Sequence, residues 1–267
     1  MILPDRFEFS QSCLQDYLDC ARRFWLMHIT QQAWPAEISE PALAQEQHML
    51  QGQAFHRLAQ QYLLGISAEQ LTPYATGEEL EQWWQNFLLY APMRGEGSRR
   101  VEYSLSMPWH TRRLVAKYDL ILIGEDGQMT ILDWKTNHQR PRRDRLAGQM
   151  QSRVYPYLLV QAGERLVGKM IQPEQVSMVY WFANFPEVGE TFVYSPAQYM
   201  QDGSILDQLA EQILGSEGIE DFPPTLRAET CNYCIYRSYC DRGVGAGDYL
   251  SLDEETELKD QDLDIDF

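Results

Sequence analysis

The 267-residue sequence has no run of apolar residues long enough to cross a bilayer. Its first six residues also lack the basic segment and apolar stretch of a secretory signal. These absences argue against membrane insertion and export, and they predict a cytoplasmic protein without a membrane partner. The content of 44% hydrophobic and 12% aromatic residues is enough for a well-filled core.

Basic residues are scarce, since 22 lysines and arginines stand against 39 acidic residues, for a net charge of -17. Residues 248–267 contain nine acidic residues and one lysine, so this stretch carries -8 and the rest of the chain -9. We predict one domain over 1–245 and a disordered acidic tail over 246–267, because such a composition buries little apolar surface. The acidic balance counts against strong independent binding of nucleic acid, whose phosphates require positive charge.

The spacing of apolar residues alternates between helical and strand-like periods. Helical spacing predicts helices over about 14–25, 45–64, 78–89, 147–161 and 196–214. Alternation predicts strands over about 100–107, 113–123, 128–135, 175–182 and 191–194. The predicted fold is therefore α/β, with a central mixed β-sheet flanked by helices.

Two neighbouring strands carry carboxylates and a lysine. Asp133 and Lys135 lie two residues apart and therefore project from one face of their strand. Asp119 lies in the preceding strand, where regular alternation predicts that it shares a face with Lys117, Ile121 and other residues of its parity. A carboxylate among apolar neighbours must be paired or bind a cation.

The hairpin between these strands decides whether the carboxylates meet. A three-residue loop over 125–127, with Gly127 in the left-handed conformation, puts Asp119 opposite Asp133, whereas a two-residue loop would put them on opposite faces. Facing carboxylates beside a lysine suit Mg²⁺ or Mn²⁺ and the hydrolysis of a phosphodiester. A structural ion pair is the alternative, and these residues alone favour neither interpretation.

Two other residues have both an ordinary and a functional interpretation. His56 lies at the edge of the apolar stripe of its helix, where it is either a boundary residue or reaches a cleft. Glu102, in the strand before that of Asp119, is either an exposed strand residue or a carboxylate in the outer sphere of a metal site.

Three of the five cysteines form the motif Cys-x2-Cys-x5-Cys at Cys231, Cys234 and Cys240. In a cytosolic chain such clustering favours metal binding over disulfides. Three thiolates need a fourth ligand, and Cys13 and Cys20 are the candidates. Sites with four thiolates hold either zinc or an iron–sulfur cluster.

Several arginines follow the strand of Asp133 and Lys135, among them Arg140, Arg142 and Arg143. Such a run is ordinarily a solvated loop. Beside a phosphodiester-cleaving centre it would bind the DNA backbone without recognising its sequence.

Five stretches resemble, in this order, motifs of the RecB-like branch of the PD-(D/E)XK nucleases, which includes CRISPR-associated exonucleases. They are residues 9–25, Gly52-Gln-Ala-Phe-His56, Ala116-Lys-Tyr-Asp119, Ile131-Leu-Asp-Trp-Lys-Thr136 and Gln151-Ser-Arg-Val-Tyr155. The fourth stretch, which follows a hairpin, is the most specific. The resemblance covers residues 7–242 and implies a restriction-endonuclease-like core.

The resemblance also implies roles for individual residues. The implied ligands of Mg²⁺ or Mn²⁺ are His56, Asp119, Asp133 and the backbone carbonyl of Trp134. Lys135 would be the catalytic lysine, and Gln151 and Tyr155 would line the site and contact DNA. The resemblance nominates Cys20 as the fourth thiolate and a [4Fe-4S] cluster rather than zinc, which would join the two ends of the domain like a clasp.

The implied function is a metal-dependent deoxyribonuclease, an exonuclease on single-stranded DNA or DNA ends, in repair, recombination or CRISPR adaptation. The alternative is a non-catalytic or partner-dependent DNA-binding subunit that works with a helicase or an integrase. The presence of Asp119, Asp133 and Lys135 together favours the enzyme, whereas the net charge of -17 favours dependence on a partner.

Overall fold

The computed structural model describes residues 3–32, 40–90, 97–227, 229–231 and 234–242, without the side chains of 40–46 and 229. The acidic stretch 246–267 lies outside the described residues. Within those ranges, we find no helix that combines the length and the apolar character needed to cross a membrane.

The centre of the fold is a five-stranded sheet in the order β1-β2-β3-β4-β5. The strands are β1 (Ser98–Trp109), β2 (Arg112–Ile123), β3 (Met129–Lys135), β4 (Val176–Phe182) and β5 (Glu190–Val193). Strands β3 and β4 are parallel, and every other neighbouring pair is antiparallel. The long connection from β3 to β4 carries helices, as parallel pairing requires. This arrangement confirms the predicted α/β fold with a mixed sheet.

Helices cover both faces of the sheet. They are α1 (Gln11–Asp19), α2 (Ala21–Phe24), α3 (Glu40–Leu63), α4 (Ala68–Leu71), α5 (Glu78–Tyr90), α6 (Arg143–Gly148), α7 (Met150–Ala162), α8 (Glu164–Val167) and α9 (Pro196–Gly215). Short 3₁₀ turns lie at Thr72–Tyr74, Pro173–Gln175, Ile219–Asp221, Glu229–Cys231 and Arg237–Cys240.

Two hydrophobic cores lie on opposite faces of the sheet. The main core, under α1, α7 and α9, includes Leu14, Tyr118, Ile131, Leu158 and Leu206. The second core, under α3 and α5, is built from large aromatic side chains: Phe55, Trp83, Trp84, Phe87, Trp134 and Trp181. Each is buried, and full burial of such a side chain contributes about 1.5–3 kcal/mol.

The prediction of one continuous helix over 14–25 is wrong, because the backbone is extended at Cys20 (φ -162°, ψ 108°). Helix α1 ends at Asp19, and α2 begins at Ala21 and runs on into a π-helical turn over Trp25–Ile29. The break is stabilised by a tertiary contact, since the backbone N–H of Thr225 donates to Cys20 Sγ at 3.4 Å.

The predicted helix over 147–161 is likewise divided, with an extended residue at Gln149 (φ -70°, ψ 147°) between α6 and α7. Gln149 provides no side-chain cap for α7. Instead, Gln15 Oε1 of α1 accepts a hydrogen bond from the backbone N–H of Met150 at 3.0 Å. The start of α7 is therefore fixed by α1, which a local sequence pattern does not reveal.

The first helices pack against the segment that follows α9. Arg22 Nε donates to the carbonyl of Phe222 at 2.8 Å, and the rings of Phe24 and Phe222 stack at 5.9 Å. Phe222 is fully buried in the main core. The N-terminal helices and the region that leads to the last three cysteines are thus joined by hydrogen bonds as well as by packing.

Candidate metal and phosphodiester site

The β2–β3 hairpin has the predicted three-residue loop. Gly127 adopts φ 82°, a left-handed conformation that favours glycine. The N–H of Gly124 donates to the carbonyl of Gln128 at 2.9 Å, and the ladder continues to the pair Leu120–Leu132. This register puts Asp119 opposite Asp133, so the predicted loop is confirmed.

The ladder changes at Asp119. The backbone N–H of Trp134 donates to Asp119 Oδ2 at 2.8 Å, so a carboxylate takes the place of a strand carbonyl. On the other side of β2, the β1–β2 pairing skips the step that would join Asp119 to Glu102. Glu102 has φ 48°, which costs a residue with a side chain about 1–2 kcal/mol.

The predicted regular alternation over β2 is wrong at this point. Tyr118 packs in the main core and Leu120 in the second core, although residues two apart share a face in a regular strand. The phase of β2 therefore changes at Asp119, next to the left-handed Glu102. The distortion brings Glu102 and Asp119 together beside α3.

Asp133, Lys135 and Gln151 form one hydrogen-bonded group. Lys135 Nζ lies 3.2 Å from Asp133 Oδ2 and donates to Gln151 Oε1 at 2.9 Å. Gln151, in the first turn of α7, donates from Nε2 to Asp133 Oδ1 at 2.5 Å. Both Asp133 and Gln151 are buried. The amide thus bridges the carboxylate and the ammonium and fixes both.

Burial, together with the neighbouring charge of Asp119, raises the pKa of Asp133 to about 7 against the opposing effects of Lys135 and His56. The pKa of Asp119 lies below its ordinary value. Burial raises it, but His56, the N–H of Trp134 and Lys135 together lower it by more. The two carboxylates thus differ in charge at neutral pH because their environments differ.

His56, on α3, completes the site on the other side. Its Nδ1 lies 3.3 Å from Asp119 Oδ1, and ligand atoms of His56, Glu102 and Asp119 all lie within 4.8 Å of one another. Glu102 is also paired with Lys117 at 3.1 Å. Burial and the charge of Asp119 raise the pKa of Glu102, so its carboxylate occupies this place at an electrostatic cost.

These residues fit a divalent cation. Asp133 Oδ2 is buried, and the described residues give it no hydrogen bond even though Lys135 Nζ is near. The neighbouring charge of Asp119 also raises the pKa of Asp133, so a divalent cation between the two carboxylates would offset their repulsion. Carboxylate oxygens with one imidazole suit Mg²⁺ and, better, Mn²⁺. His56, Asp119 and Asp133 are therefore suitable ligands, and Glu102 is a further one.

Tyr155, which the resemblance implies to contact DNA, is enclosed by protein, as is the indole of Trp134. Tyr155 is 6% exposed, its ring lies 4.8 Å from that of Tyr118, and burial raises its pKa well above the ordinary value. The hydroxyl of Tyr118 donates to the carbonyl of Tyr155 at 3.0 Å. The indole of Trp134 lies in the second core while its backbone N–H is held by Asp119. Tyr155 therefore supports the site from behind.

The three predicted DNA-binding arginines are engaged in ion pairs. Arg140 pairs with Glu190 of β5 at 2.5 Å, and Arg143 pairs with the same carboxylate at 2.8 Å. Arg142, which is exposed, pairs with Asp144 at 2.7 Å. Glu190 thus offsets part of the positive charge at this edge of the sheet.

The electrostatic surroundings of two C-terminal cysteines include Cys20. Burial raises the pKa of Cys234, and the charges of Cys20 and Cys231 raise it further. Burial also raises the pKa of Cys240, again with contributions from Cys20 and Cys231.

Cys13 lies apart from that group. It is 2% exposed in α1, and its Sγ lies 3.3 Å from the carbonyl of Ser10. The thiol acts within the local capping hydrogen bonds of α1, where the N–H of Ser10 also donates to it at 3.1 Å. Cys20, by contrast, lies beside Thr225 in the segment that carries the other thiols.

Sequence reasoning underestimated Glu102 and missed Glu190. A glutamate in the left-handed conformation has no sequence signature, because the conformation is imposed by the surrounding sheet. Glu190 lies 47 and 50 residues beyond the arginines that it pairs with. Only the antiparallel pairing of β5 with β4 brings it near them.

A mixed sheet between helices carries two carboxylates and a lysine close to the point where the phase of β2 changes. A family model, the PD-(D/E)XK nuclease superfamily, matches residues 8–241. The chain therefore belongs to the PD-(D/E)XK nuclease superfamily, whose members use divalent metals.

Structural comparison finds similar folds at low sequence identity. The chain resembles the protein SSO0001, with 12% identity, a TM-score of 0.42 and coverage of 91% of this chain and 90% of the other. It also resembles a Eubacterium rectale protein named "Putative exonuclease", with 11% identity, a TM-score of 0.47 and coverage of 79% and 81%. No curated protein matches the sequence. At these TM-scores neither structure adds to the functional assignment.

Proposed function

We propose that the chain is a RecB-like, divalent-metal-dependent deoxyribonuclease that hydrolyses phosphodiester bonds in single-stranded DNA or at DNA ends. The observation that carries the proposal is the bridge between Asp133, Lys135 and Gln151, set opposite Asp119 and His56. An ion pair between Asp133 and Lys135 does not by itself account for His56, Glu102 and Asp119, whose ligand atoms lie within 4.8 Å of one another.

In the proposed reaction each residue has a defined task. Asp119, Asp133, His56 and the carbonyl of Trp134 would hold Mg²⁺ or Mn²⁺, which supplies an acidified water and Lewis acidity when bound. Asp133 and Gln151 hold Lys135 Nζ in place, so that its positive charge stabilises the phosphate oxygens as they become more negative. Their fixed geometry lowers the cost of reorganisation during the reaction.

The test is cleavage of labelled single-stranded DNA by anaerobically purified protein with Mn²⁺, beside Asp133→Ala, Lys135→Ala and the exposed control Lys169→Ala. We expect Asp133→Ala and Lys135→Ala to lose cleavage by at least about 100-fold while remaining folded, and Lys169→Ala to keep it. Full activity in Lys135→Ala would remove the proposed catalytic lysine. A parallel RNA substrate of the same sequence tests the preference for DNA.

We also propose that Cys20, Cys231, Cys234 and Cys240 hold a [4Fe-4S] cluster that acts as a clasp. Burial raises the pKa values of Cys240 and Cys234, and the guanidiniums of Arg22 and Arg23, respectively, offset part of that rise. The clasp would close nearly the whole domain, and its loss should loosen both ends.

The cluster is tested by anaerobic purification of Cys20→Ser and of the matched variant Cys13→Ser. We expect Cys20→Ser to lose the visible absorption and bound iron of the cluster and Cys13→Ser to retain both. The opposite pattern would make Cys13 the fourth ligand. Zinc in place of iron in the purified wild type would exclude the cluster.

The pairing of Arg140 and Arg143 with Glu190 favours a second candidate function, a DNA-binding subunit that requires a helicase or integrase partner. Positive charge that is already paired attracts phosphate less strongly. The cleavage assay decides between the two candidates. A folded, cluster-containing wild type that does not cleave DNA alone would favour the partner-dependent subunit.

A further inference from the structure

A second group of potential metal ligands lies outside the proposed site. It consists of His48 on α3, Glu79 on α5 and His138 in the segment after β3, and ligand atoms of all three lie within 4.8 Å of one another. His48 Nδ1 lies 3.6 Å from Glu79 Oε2, and His138 Nδ1 lies 3.6 Å from Glu79 Oε1. One carboxylate therefore faces two imidazoles that come from different elements.

These distances match the ligands of one metal better than two hydrogen bonds. A nitrogen–oxygen hydrogen bond is usually about 2.7–3.2 Å long. Two ligand atoms about 2.1 Å from a tetrahedral zinc ion lie roughly 3.4 Å apart. Each imidazole nitrogen lies 3.6 Å from one of the two oxygens of Glu79, which is close to this separation. Small movements of the three side chains would therefore let them bind one ion.

The two imidazoles are held by a shared buried scaffold. The ring of His48 meets that of Trp83 edge to face at 5.4 Å, and Trp83 Nε1 donates to Asn184 Oδ1 at 2.8 Å. Asn184 Nδ2 in turn donates to the carbonyls of Thr136 and Asn137, at 3.1 and 2.9 Å. The tryptophan that positions His48 therefore also fixes the segment that ends at His138.

Gly52 allows α3 to approach this segment. A Cβ atom at Gly52 would lie 3.3 Å from Thr136 Oγ1, so the helix and the segment are already close. Gly52 lies one turn after His48 and one turn before His56, which puts both histidines on the same face of α3. The group of His48 and the site of His56 are thus neighbours along one helix.

We propose that His48, Glu79 and His138 bind a zinc ion, or another transition-metal ion that prefers imidazole, with one coordination position left open. Two histidines with one glutamate are a known ligand set for zinc with a fourth position for water. Imidazole nitrogen is a good ligand for zinc, whereas carboxylate oxygen suits Mg²⁺ and Mn²⁺. The two sites are therefore expected to bind different ions.

Occupation of this second site would join three parts of the structure. The ion would bind α3, α5 and the segment immediately after Lys135, so it would restrict movement of the strand end that carries the lysine. This consequence rests on the proposed function, but the metal site itself does not. Its test is therefore metal binding and not cleavage.

The test is calorimetric titration of the full, cluster-containing chain with Zn²⁺ in excess Mg²⁺. The variants are His138→Ala and Glu79→Gln, and the matched control is His110→Ala. His110 also pairs with a single carboxylate, Asp207, at 3.1 Å, but it belongs to no such three-ligand group among the described residues. We expect the wild type and the control to bind one more equivalent of Zn²⁺ than either variant.

Co²⁺ provides an independent readout of the ligands. The wild type and His110→Ala should show d–d absorption bands of a nitrogen- and oxygen-ligated ion, and both site variants should lose them. Circular dichroism checks that the variants are folded. An equal number of bound Zn²⁺ ions in wild type, His138→Ala and Glu79→Gln would overturn the proposal, whatever the result of the nuclease assay.

Discussion

Replacement of Asp133 with asparagine should reduce the pH dependence of stability in metal-free protein. Burial, with the charge of Asp119, raises the folded-state pKa of Asp133 to about 7, whereas the unfolded chain has a value of about 3.9. Between these values the folded protein keeps a proton that the unfolded chain has lost. The contribution of Asp133 to stability is therefore fully present below about pH 4 and is lost as the pH rises from there through the folded-state value of about 7.

The magnitude follows from the two pKa values. The full effect of ionising Asp133 is about 4 kcal/mol, and the part that falls between about pH 5 and about pH 7 is about 2 kcal/mol. Asparagine has no proton to lose, so Asp133→Asn should lack this part.

The assay is urea unfolding in the presence of a chelator, at about pH 5 and at about pH 7. Tryptophan fluorescence reports the fraction of unfolded protein. Asp207→Asn, which removes an exposed carboxylate, controls for the change in net charge. Added Mn²⁺ should stabilise the wild type at neutral pH and leave Asp133→Asn nearly unchanged. If the free energy of unfolding changed equally with pH in the wild type and in Asp133→Asn, the electrostatic reasoning would be refuted.

Gln151→Leu should lower the single-turnover rate of DNA cleavage by about 10–100-fold with little loss of folding, because Lys135 and Asp133 lose the amide that positions them; unchanged cleavage would contradict this. Gly97→Ala should lower the free energy of unfolding by about 2 kcal/mol or more, since Gly97 has φ +126° and a new Cβ would lie 2.1 Å from a backbone oxygen. Gly148→Ala is the control, because nothing lies within 4 Å of its Cβ position, and equal stability of the two variants would disprove the steric argument.

The sheet and the hairpin could be predicted because their signals are local. Alternation over 113–123 and 128–135 indicated β2 and β3 nearly to their ends. The sequence left two loop lengths open, and only the three-residue loop with Gly127 in the left-handed conformation, which the metal-site interpretation required, sets Asp119 opposite Asp133. A single glycine thus determined which carboxylates meet across two strands.

The parts that could not be predicted depend on contacts between distant residues. The break at Cys20 coincides with a hydrogen bond from Thr225, which lies 205 residues away. The left-handed conformation of Glu102 depends on its skipped pairing with Asp119. In each case the local pattern predicted a regular element, and tertiary contacts overrode it.

The charges around the site clarify how an acidic protein can act on DNA under the proposed function. Three carboxylates lie at the site, those of Glu102, Asp119 and Asp133. Among the described residues, Lys117 pairs with Glu102 and Lys135 pairs with Asp133. Without a cation these carboxylates repel a phosphate, and the guanidiniums of Arg140 and Arg143 are already paired with Glu190. A divalent ion reverses the sign of the charge that the phosphate meets. The carboxylates that weaken DNA binding in the metal-free state therefore make productive binding depend on the metal.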